Sequence, residues 1–106
     1  MSGDQVVVFI TAATAEEAQR IGRALLDERL AACVNTLPVH SAYWWRGAVE
    51  EAGETLLLVK TASRLLDALT ARVRALHSYS VPEVIALPIV GGSADYLRWV
   101  EESLRP

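Results

Sequence analysis

The sequence has little of what several large classes of protein require. Its single cysteine cannot form a disulfide within the chain, and its longest apolar runs are far shorter than the roughly 20 residues that span a bilayer. The first residues, Met-Ser-Gly-Asp-Gln, lack the positive and apolar regions of a secretory signal peptide. Ten Lys and Arg against 13 Asp and Glu give a net charge of -3, which disfavours nucleic-acid and anionic-membrane partners. We therefore expect a cytoplasmic protein with neither partner.

The composition is that of a compact domain. Hydrophobic residues make up 52% of the chain and charged residues 22%, which is enough apolar surface to offset the ordering entropy of folding. A length of 106 residues suits one domain with a modest core. We expect a single domain over residues 1–106.

Hydrophobic periodicity, capping residues and turn residues predict four strands and three helices. The first half of the chain is predicted to form a strand Val6–Ile10, a helix from a Thr14/Glu17 capping box to about Leu30, and a long strand from Ala31 to Trp45 that is bent at Pro38. A turn at Arg46-Gly47 leads to a strand Glu54–Lys60 and a helix capped by Ser63. A strand Glu83–Val90 and a helix capped by Ser93 complete the chain.

The order of these elements indicates a fold class. A β-α-β-β-α-β order with an added C-terminal helix is the ferredoxin-like, split βαβ pattern of the α+β class, with a long, bent hairpin between the second and third strands. Its central strands are the first and third, and Val6–Ile10 and Leu56–Val59 are indeed apolar on both faces. Pro88 cannot donate a ladder hydrogen bond, so the fourth strand is predicted at an edge.

Three consecutive aromatic residues, Tyr43, Trp44 and Trp45, precede the predicted hairpin turn. The helices of one chain can cover at most one face of such a hairpin, so at least one ring needs another surface. We expect a subunit interface here, because interfaces are rich in aromatic residues. The alternative is that the two tryptophans close the local core.

The loop before the fourth strand brings together His77, Tyr79 and Glu83, with Pro82 restricting its shape. An imidazole near a carboxylate suits a metal or small-ligand site, or a general acid–base pair. The alternative is a histidine that ends a helix, where its cationic form favours the negative end of the helix dipole, with Tyr79 packed locally.

Cys33 and Lys60 have simpler interpretations. Cys33 lies among small and apolar residues, which favours a buried thiol, although a thiol can also be a soft ligand for copper if other groups come from another loop or chain. Lys60 ends the third strand and is either a solvated strand end or a contact for an anion. His40 is expected to be exposed.

Several motifs cover nearly the whole chain in order: Leu30-Ala31-Ala32-Cys33-Val34-Asn35, Ser41-x-Tyr43-x-Trp45-x-Gly47, Glu54 with Leu58-Val59-Lys60-Thr61, His77-x-Tyr79-x-x-Pro82-Glu83 and Tyr96-Leu97-x-Trp99. Together they resemble the CutA divalent-cation tolerance family. The resemblance implies a ferredoxin-like fold, a homotrimer whose hairpins extend the neighbouring sheets, and a role with divalent cations, chiefly copper. The segment Leu76-His77-Ser78 stands where some relatives have consecutive histidines and a proline, so a paired-histidine copper site is not carried over.

These observations predict a non-enzymatic homotrimer that binds a divalent metal such as copper, or a small ligand, in clefts between subunits and responds to metal, with no required cofactor. The metal ligands are predicted to be Cys33 and His77, the cleft residues Glu54, Lys60, Tyr79 and Glu83, and the interface residues Tyr43, Trp44 and Trp45. One alternative is an acid–base enzyme that uses His77 and Glu83, and another is a structural trimer that serves as a scaffold.

Overall fold

A computed structural model describes residues 4–106 and confirms the predicted fold class. The elements are β1 (Gln5–Ala12), α1 (Ala15–Asp27), β2 (Cys33–Trp45), β3 (Ala48–Ala62), α2 (Leu66–Leu76), β4 (Val84–Pro88) and α3 (Ala94–Ser103), with a 3₁₀ turn at Ser63–Leu65. No helix within the described residues is long and apolar enough to cross a membrane.

The four strands form one sheet in the order β2-β3-β1-β4, with every neighbouring pair antiparallel. β1 and β3 are therefore central, as their doubly apolar sequences predict. β4 lies at an edge and ends at Pro88, in agreement with the missing amide hydrogen of proline.

One face of the sheet packs against α1 and α2. Alternate residues of the two central strands, including Val8, Ile10 and Val59, are fully buried on this face, and Ile21 of α1 and Leu69 of α2 meet them in the same core. This alternation follows from the period of two in a strand, which sends every second side chain to the same face. The helices thus cover only those apolar side chains of the central strands that point to this face, which are about half of them.

The other face, which we call the open face, is also apolar. We define it by residues that share this face through their register: Val7, Phe9, Leu37, Leu56, Leu58, Ile85 and Leu87. Leu37, Ile85 and Leu87 are 40%, 52% and 45% exposed. Neither α1 nor α2 contributes a cover here, so a large apolar surface of the sheet remains accessible in one copy of the chain.

The β2–β3 hairpin extends beyond the rest of the sheet. β1 ends at Ala12, which is opposite Thr55, so residues 39–45 and 48–54 pair only with each other. We call this two-stranded segment the ribbon. Arg46 and Gly47 form its turn with φ angles of +50° and +83°, as a two-residue type I′ turn requires. The ribbon gives the molecule a long axis of 44 Å against 25 and 21 Å.

Several local predictions need correction. Ser63 does not cap α2, because the chain enters that helix through the 3₁₀ turn and no side chain accepts a hydrogen bond from its first turn. β3 begins at Ala48 and not at Glu54, because pairing with β2 extends it to the turn. β4 is shorter than predicted at both ends, and Val90 beyond it is almost fully exposed.

Candidate functional site

A groove lies where the ribbon leaves the sheet. It has a volume of about 820 Å³ and is bounded on one side by β2 and β3 and on the other by the loop between α2 and β4. Three predicted site residues, Glu54, Tyr79 and Glu83, line it together with Tyr43 and Trp45. The end of β1 leaves the ribbon without a neighbouring strand, and the loop occupies that position.

Tyr79 connects the two sides of the groove. Its hydroxyl donates a hydrogen bond to Oε2 of Glu54 at 2.6 Å. Partial burial is the larger cause, and the hydrogen bond to the Glu54 carboxylate the smaller cause, of a rise in the pKa of Tyr79 well above its ordinary value of 10.0. The phenol therefore stays protonated and acts as a hydrogen-bond donor.

His77 lies beneath Tyr79, and its side chain is fully buried. The backbone N–H of Tyr79 donates to Nδ1 at 3.0 Å, so Nε2 carries the ring proton in the neutral form and donates to the carbonyl oxygen of Thr11 at 2.8 Å. The two aromatic rings are 4.7 Å apart. The imidazole has no lone pair free in this arrangement, so it can bind a metal or accept a proton only by giving up one of these bonds.

Glu17 is a buried residue of this region that the sequence did not identify as part of a site. Its carboxylate accepts hydrogen bonds from the N–H and hydroxyl of Ser78 at 2.7 and 3.0 Å, and from the N–H of Ala13 at 3.2 Å. Burial opposes the charge, but these hydrogen bonds outweigh it and lower the pKa of Glu17. The first turn of α1 is thereby tied to the loop that carries Tyr79.

The capping-box pattern at Thr14 and Glu17 indicates only the local part of the role of Glu17. Thr14 does cap α1, since its hydroxyl accepts from the N–H of Glu17 at 3.1 Å. Glu17, however, binds the N–H of Ala13 and not that of Thr14, and most of its bonds go to Ser78, 61 residues away. No local pattern signals that distant partner.

Cys33 and Lys60 form a separate cluster at the opposite end of the open face. They are paired residues of β2 and β3, with the Lys60 Nζ at 4.0 Å from the Cys33 Sγ and also donating to Oδ1 of Asn35. Thr11 lines the groove and pairs with Leu56 of β3. Lys60 is four residues further along β3 than Leu56, which corresponds to about 13 Å at about 3.3 Å per residue. Within one chain, Cys33 and Lys60 therefore lie apart from His77 and the groove.

The donors of one chain do not form a metal site by themselves. Among residues 4–106, no three His, Cys, Asp or Glu side chains are placed to hold one ion. Copper and zinc sites ordinarily use three or four such ligands. A metal site built from the predicted residues therefore has to take ligands from more than one copy of the chain.

The three aromatic residues before the turn are exposed. Tyr43, Trp44 and Trp45 have 44%, 75% and 56% of their surface accessible. Successive strand residues point to opposite faces, so Trp44 lies on one face of the ribbon and its two neighbours lie on the other. Within residues 4–106, these three rings therefore remain largely uncovered on both faces of the ribbon.

Comparison with known proteins shows close relatives. A family model described as "CutA1 divalent ion tolerance protein" matches residues 6–103. "Protein CutA 1, chloroplastic" of Oryza sativa subsp. japonica is 50% identical over 101 residues, which are 94% of this chain and 57% of that protein. The divalent-cation tolerance protein CutA of Thermus thermophilus is 51% identical over 98 residues, 92% of this chain and 95% of that protein.

A solved structure shows the same similarity in three dimensions. The divalent cation tolerance protein from Thermus thermophilus matches this fold with a TM-score of 0.93 at 49% identity, covering 95% of this chain and 99% of that one. The chain spans little more than half the length of the rice protein but nearly all of the bacterial one.

Proposed function

This chain belongs to the CutA1 divalent ion tolerance family, and we propose that it acts in tolerance of divalent cations such as copper as a homotrimer with a cation-binding cleft between copies. It is proposed to be a binding protein and not an enzyme. The names of the family and of the relatives above denote no reaction.

The observation that carries the proposal is the uncovered apolar surface of the sheet. The central strands are apolar on both sides, yet only one side is covered by α1 and α2. An exposed apolar area of this kind marks an interaction surface. A second and third copy of the chain provide the missing cover, and they also contact the aromatic residues of the ribbon.

The edges of the sheet support a ring of copies. The free edges are β2 and β4, which differ in length and sequence, so a contact in which β2 of one copy meets β4 of the next joins unlike surfaces. Contacts between unlike surfaces are head-to-tail and form a closed ring when the rotation between copies allows it. A ring of three agrees with the homotrimer that the family resemblance implies.

The cleft is proposed at the groove beside Tyr79, with a neighbouring copy as its remaining wall. Glu54 and Glu83 supply carboxylates to the groove, and Cys33, which is partly exposed, supplies a thiol from elsewhere in the sheet. Since Cys33 and His77 are far apart in one chain, a site that contains both takes them from different copies. We also propose a cytoplasmic location, although the rice relative is named as chloroplastic.

Calorimetric titration with Cu(II), combined with light scattering on the same samples, tests this proposal. We expect a mass three times that of the 11.6 kDa chain, and at least about tenfold weaker copper binding in Cys33→Ala and His77→Ala. Binding is also expected to weaken at lower pH, because thiol and imidazole bind metals without their protons. Glu102→Gln is the control, because Glu102 is exposed and lies outside the groove.

Two results contradict the proposal. A monomer at micromolar concentration rules out the cleft between copies. Equal copper affinity in the wild type, Cys33→Ala and His77→Ala shows that the binding of copper is adventitious.

A further inference from the structure

The groove combines aromatic rings with negative charge. Tyr43, Trp45 and Tyr79 contribute three rings, Glu54 and Glu83 contribute two carboxylates, and no Lys or Arg is among its lining residues within the part of the chain that the structure describes. The faces of aromatic rings carry negative potential and attract cations, most strongly in the case of tryptophan. Rings and carboxylates in this groove therefore favour the same kind of ligand, a cation with an apolar surface.

The ribbon already contains one contact of this type. Cζ of Arg46 lies 5.3 Å from the centre of the Trp45 ring, within the range of a cation–π interaction. The contact shows that a face of the Trp45 ring is accessible to a cation, which here is the guanidinium of the neighbouring Arg46.

The same lining is poorly suited to a bare metal ion. Calcium needs six to eight oxygen ligands, and aromatic rings do not replace them. One oxygen of Glu54 is already engaged by the Tyr79 hydroxyl. An organic ammonium group needs far fewer oxygen ligands than a metal ion, because one carboxylate oxygen and two or three ring faces can stabilise its charge. Its carbon atoms are stabilised by apolar contact with the same rings.

We propose that this groove binds small organic ammonium compounds, with the charged nitrogen next to Glu54 and Glu83 and the carbon atoms against Tyr43, Trp45 and Tyr79. The inference deepens the proposed cleft by naming its ligand class, and it rests on the groove being a binding site. Tyr79 holds the Glu54 carboxylate in place through its 2.6 Å hydrogen bond, so it acts as a positioning residue as well as a ring.

Choline is a suitable probe, because its neutral carbon isostere, a dimethylbutanol in which carbon replaces nitrogen, has the same shape without the charge. In calorimetric titrations of the full chain we expect choline to bind about tenfold more tightly than the isostere. Glu54→Gln and the double variant Glu54→Gln/Glu83→Gln are expected to reduce that preference stepwise, with little effect on the isostere.

The matched control is Glu102→Gln on α3. Glu102 is exposed and outside the groove, so its removal changes the net charge by the same amount and leaves choline binding as in the wild type. If Glu102→Gln weakens choline binding as much as Glu54→Gln does, the effect is one of net charge, and the proposed site is wrong.

The outcomes separate this inference from the proposed function. Light scattering and Cu(II) titration on the same preparations report the trimer and its metal binding independently. A trimer that binds copper but shows no choline binding, or equal binding of choline and its isostere, overturns the ammonium site alone. Selective choline binding by a monomer supports the ammonium site and overturns the trimeric cleft.

Discussion

At the scale of single residues, Glu17 is the side chain on which the loop beside the groove depends most. It is 5% exposed, and it is surrounded by donors from Ser78 and Ala13. A buried carboxylate is costly unless it is hydrogen-bonded, and here three bonds compensate for its burial. Removing the charge leaves the N–H groups of Ser78 and Ala13 with a weaker acceptor.

We predict that Glu17→Gln lowers the free energy of unfolding by about 1–3 kcal/mol near pH 7, as expected for lost hydrogen bonds to a charged group. The folded pKa of Glu17 lies below its ordinary value of 4.5, so its contribution is complete above that value and is lost as the pH falls through the folded pKa. The gap between wild type and variant should therefore shrink as the pH falls below 4.5.

Urea unfolding at one protein concentration measures this gap, because the stability of an oligomer depends on concentration. Glu16→Gln is the control, since Glu16 is an exposed residue in the same helical turn and its change should stay within about 0.5 kcal/mol. A gap that stays the same from near pH 7 down to the lowest pH at which both proteins remain folded contradicts the role given to the Glu17 charge.

At the scale of elements, the ribbon depends on its turn. A two-stranded hairpin is only marginally stable in water, and here both of its faces are uncovered within the chain. Its register with the rest of β2 and β3 is continuous, so the turn has to match the natural twist of the strands. Gly47 meets this requirement with a positive φ that other residues rarely adopt.

Gly47→Ala should therefore destabilise the protein by about 1 kcal/mol, because an alanine at a positive φ is strained. A Cβ at Gly47 meets no atom within 4 Å, so the cost is one of backbone conformation and not of packing. Gly53→Ala in the same ribbon is the control. Its Cβ also meets nothing, and it has no positive φ, so we expect a neutral or slightly stabilising change.

Thermal or urea unfolding of both variants measures the difference. If Gly53→Ala is as destabilising as Gly47→Ala, the ribbon is sensitive to any substitution, and the argument from the type I′ turn is wrong.

At the scale of the whole molecule, assembly decides the environment of the open face and the ribbon. Trp45 lies at the end of the ribbon and is 56% exposed, whereas Trp99 on α3 is 44% exposed and packs against Tyr96 with ring centres 5.5 Å apart. The two tryptophans offer similar accessible surface but differ in position. Only Trp45 lies on the segment proposed to reach a neighbouring copy.

We predict that Trp45→Ala raises the dissociation constant of the trimer by about 30-fold or more, which is typical of a tryptophan at the centre of an interface. Trp99→Ala should have a much smaller effect, because its ring packs on its own helix. Light scattering across a dilution series measures both. A larger effect of Trp99→Ala places the interface on α3 and contradicts the role of the ribbon.

Local properties of the sequence were enough to predict the architecture. Strand and helix periods, the apolar character of Val6–Ile10 and Leu56–Val59 on both faces, and the missing donor of Pro88 are local properties, and they led to the correct sheet order. Capping was predicted correctly at Thr14 and Ser93 but not at Ser63, because the chain tightens into a 3₁₀ turn before α2.

Which candidate residues lie together depends instead on tertiary packing. Glu54, Tyr79 and Glu83 line one groove, while Lys60 and Cys33 lie at the other end of the open face, since the register of β1 with β3 sets distances that sequence spacing does not reveal. The bonds from Ser78 to Glu17 and from His77 to Thr11 likewise join distant segments. Contacts of this kind depend on how helices pack on the sheet, and no local pattern encodes them.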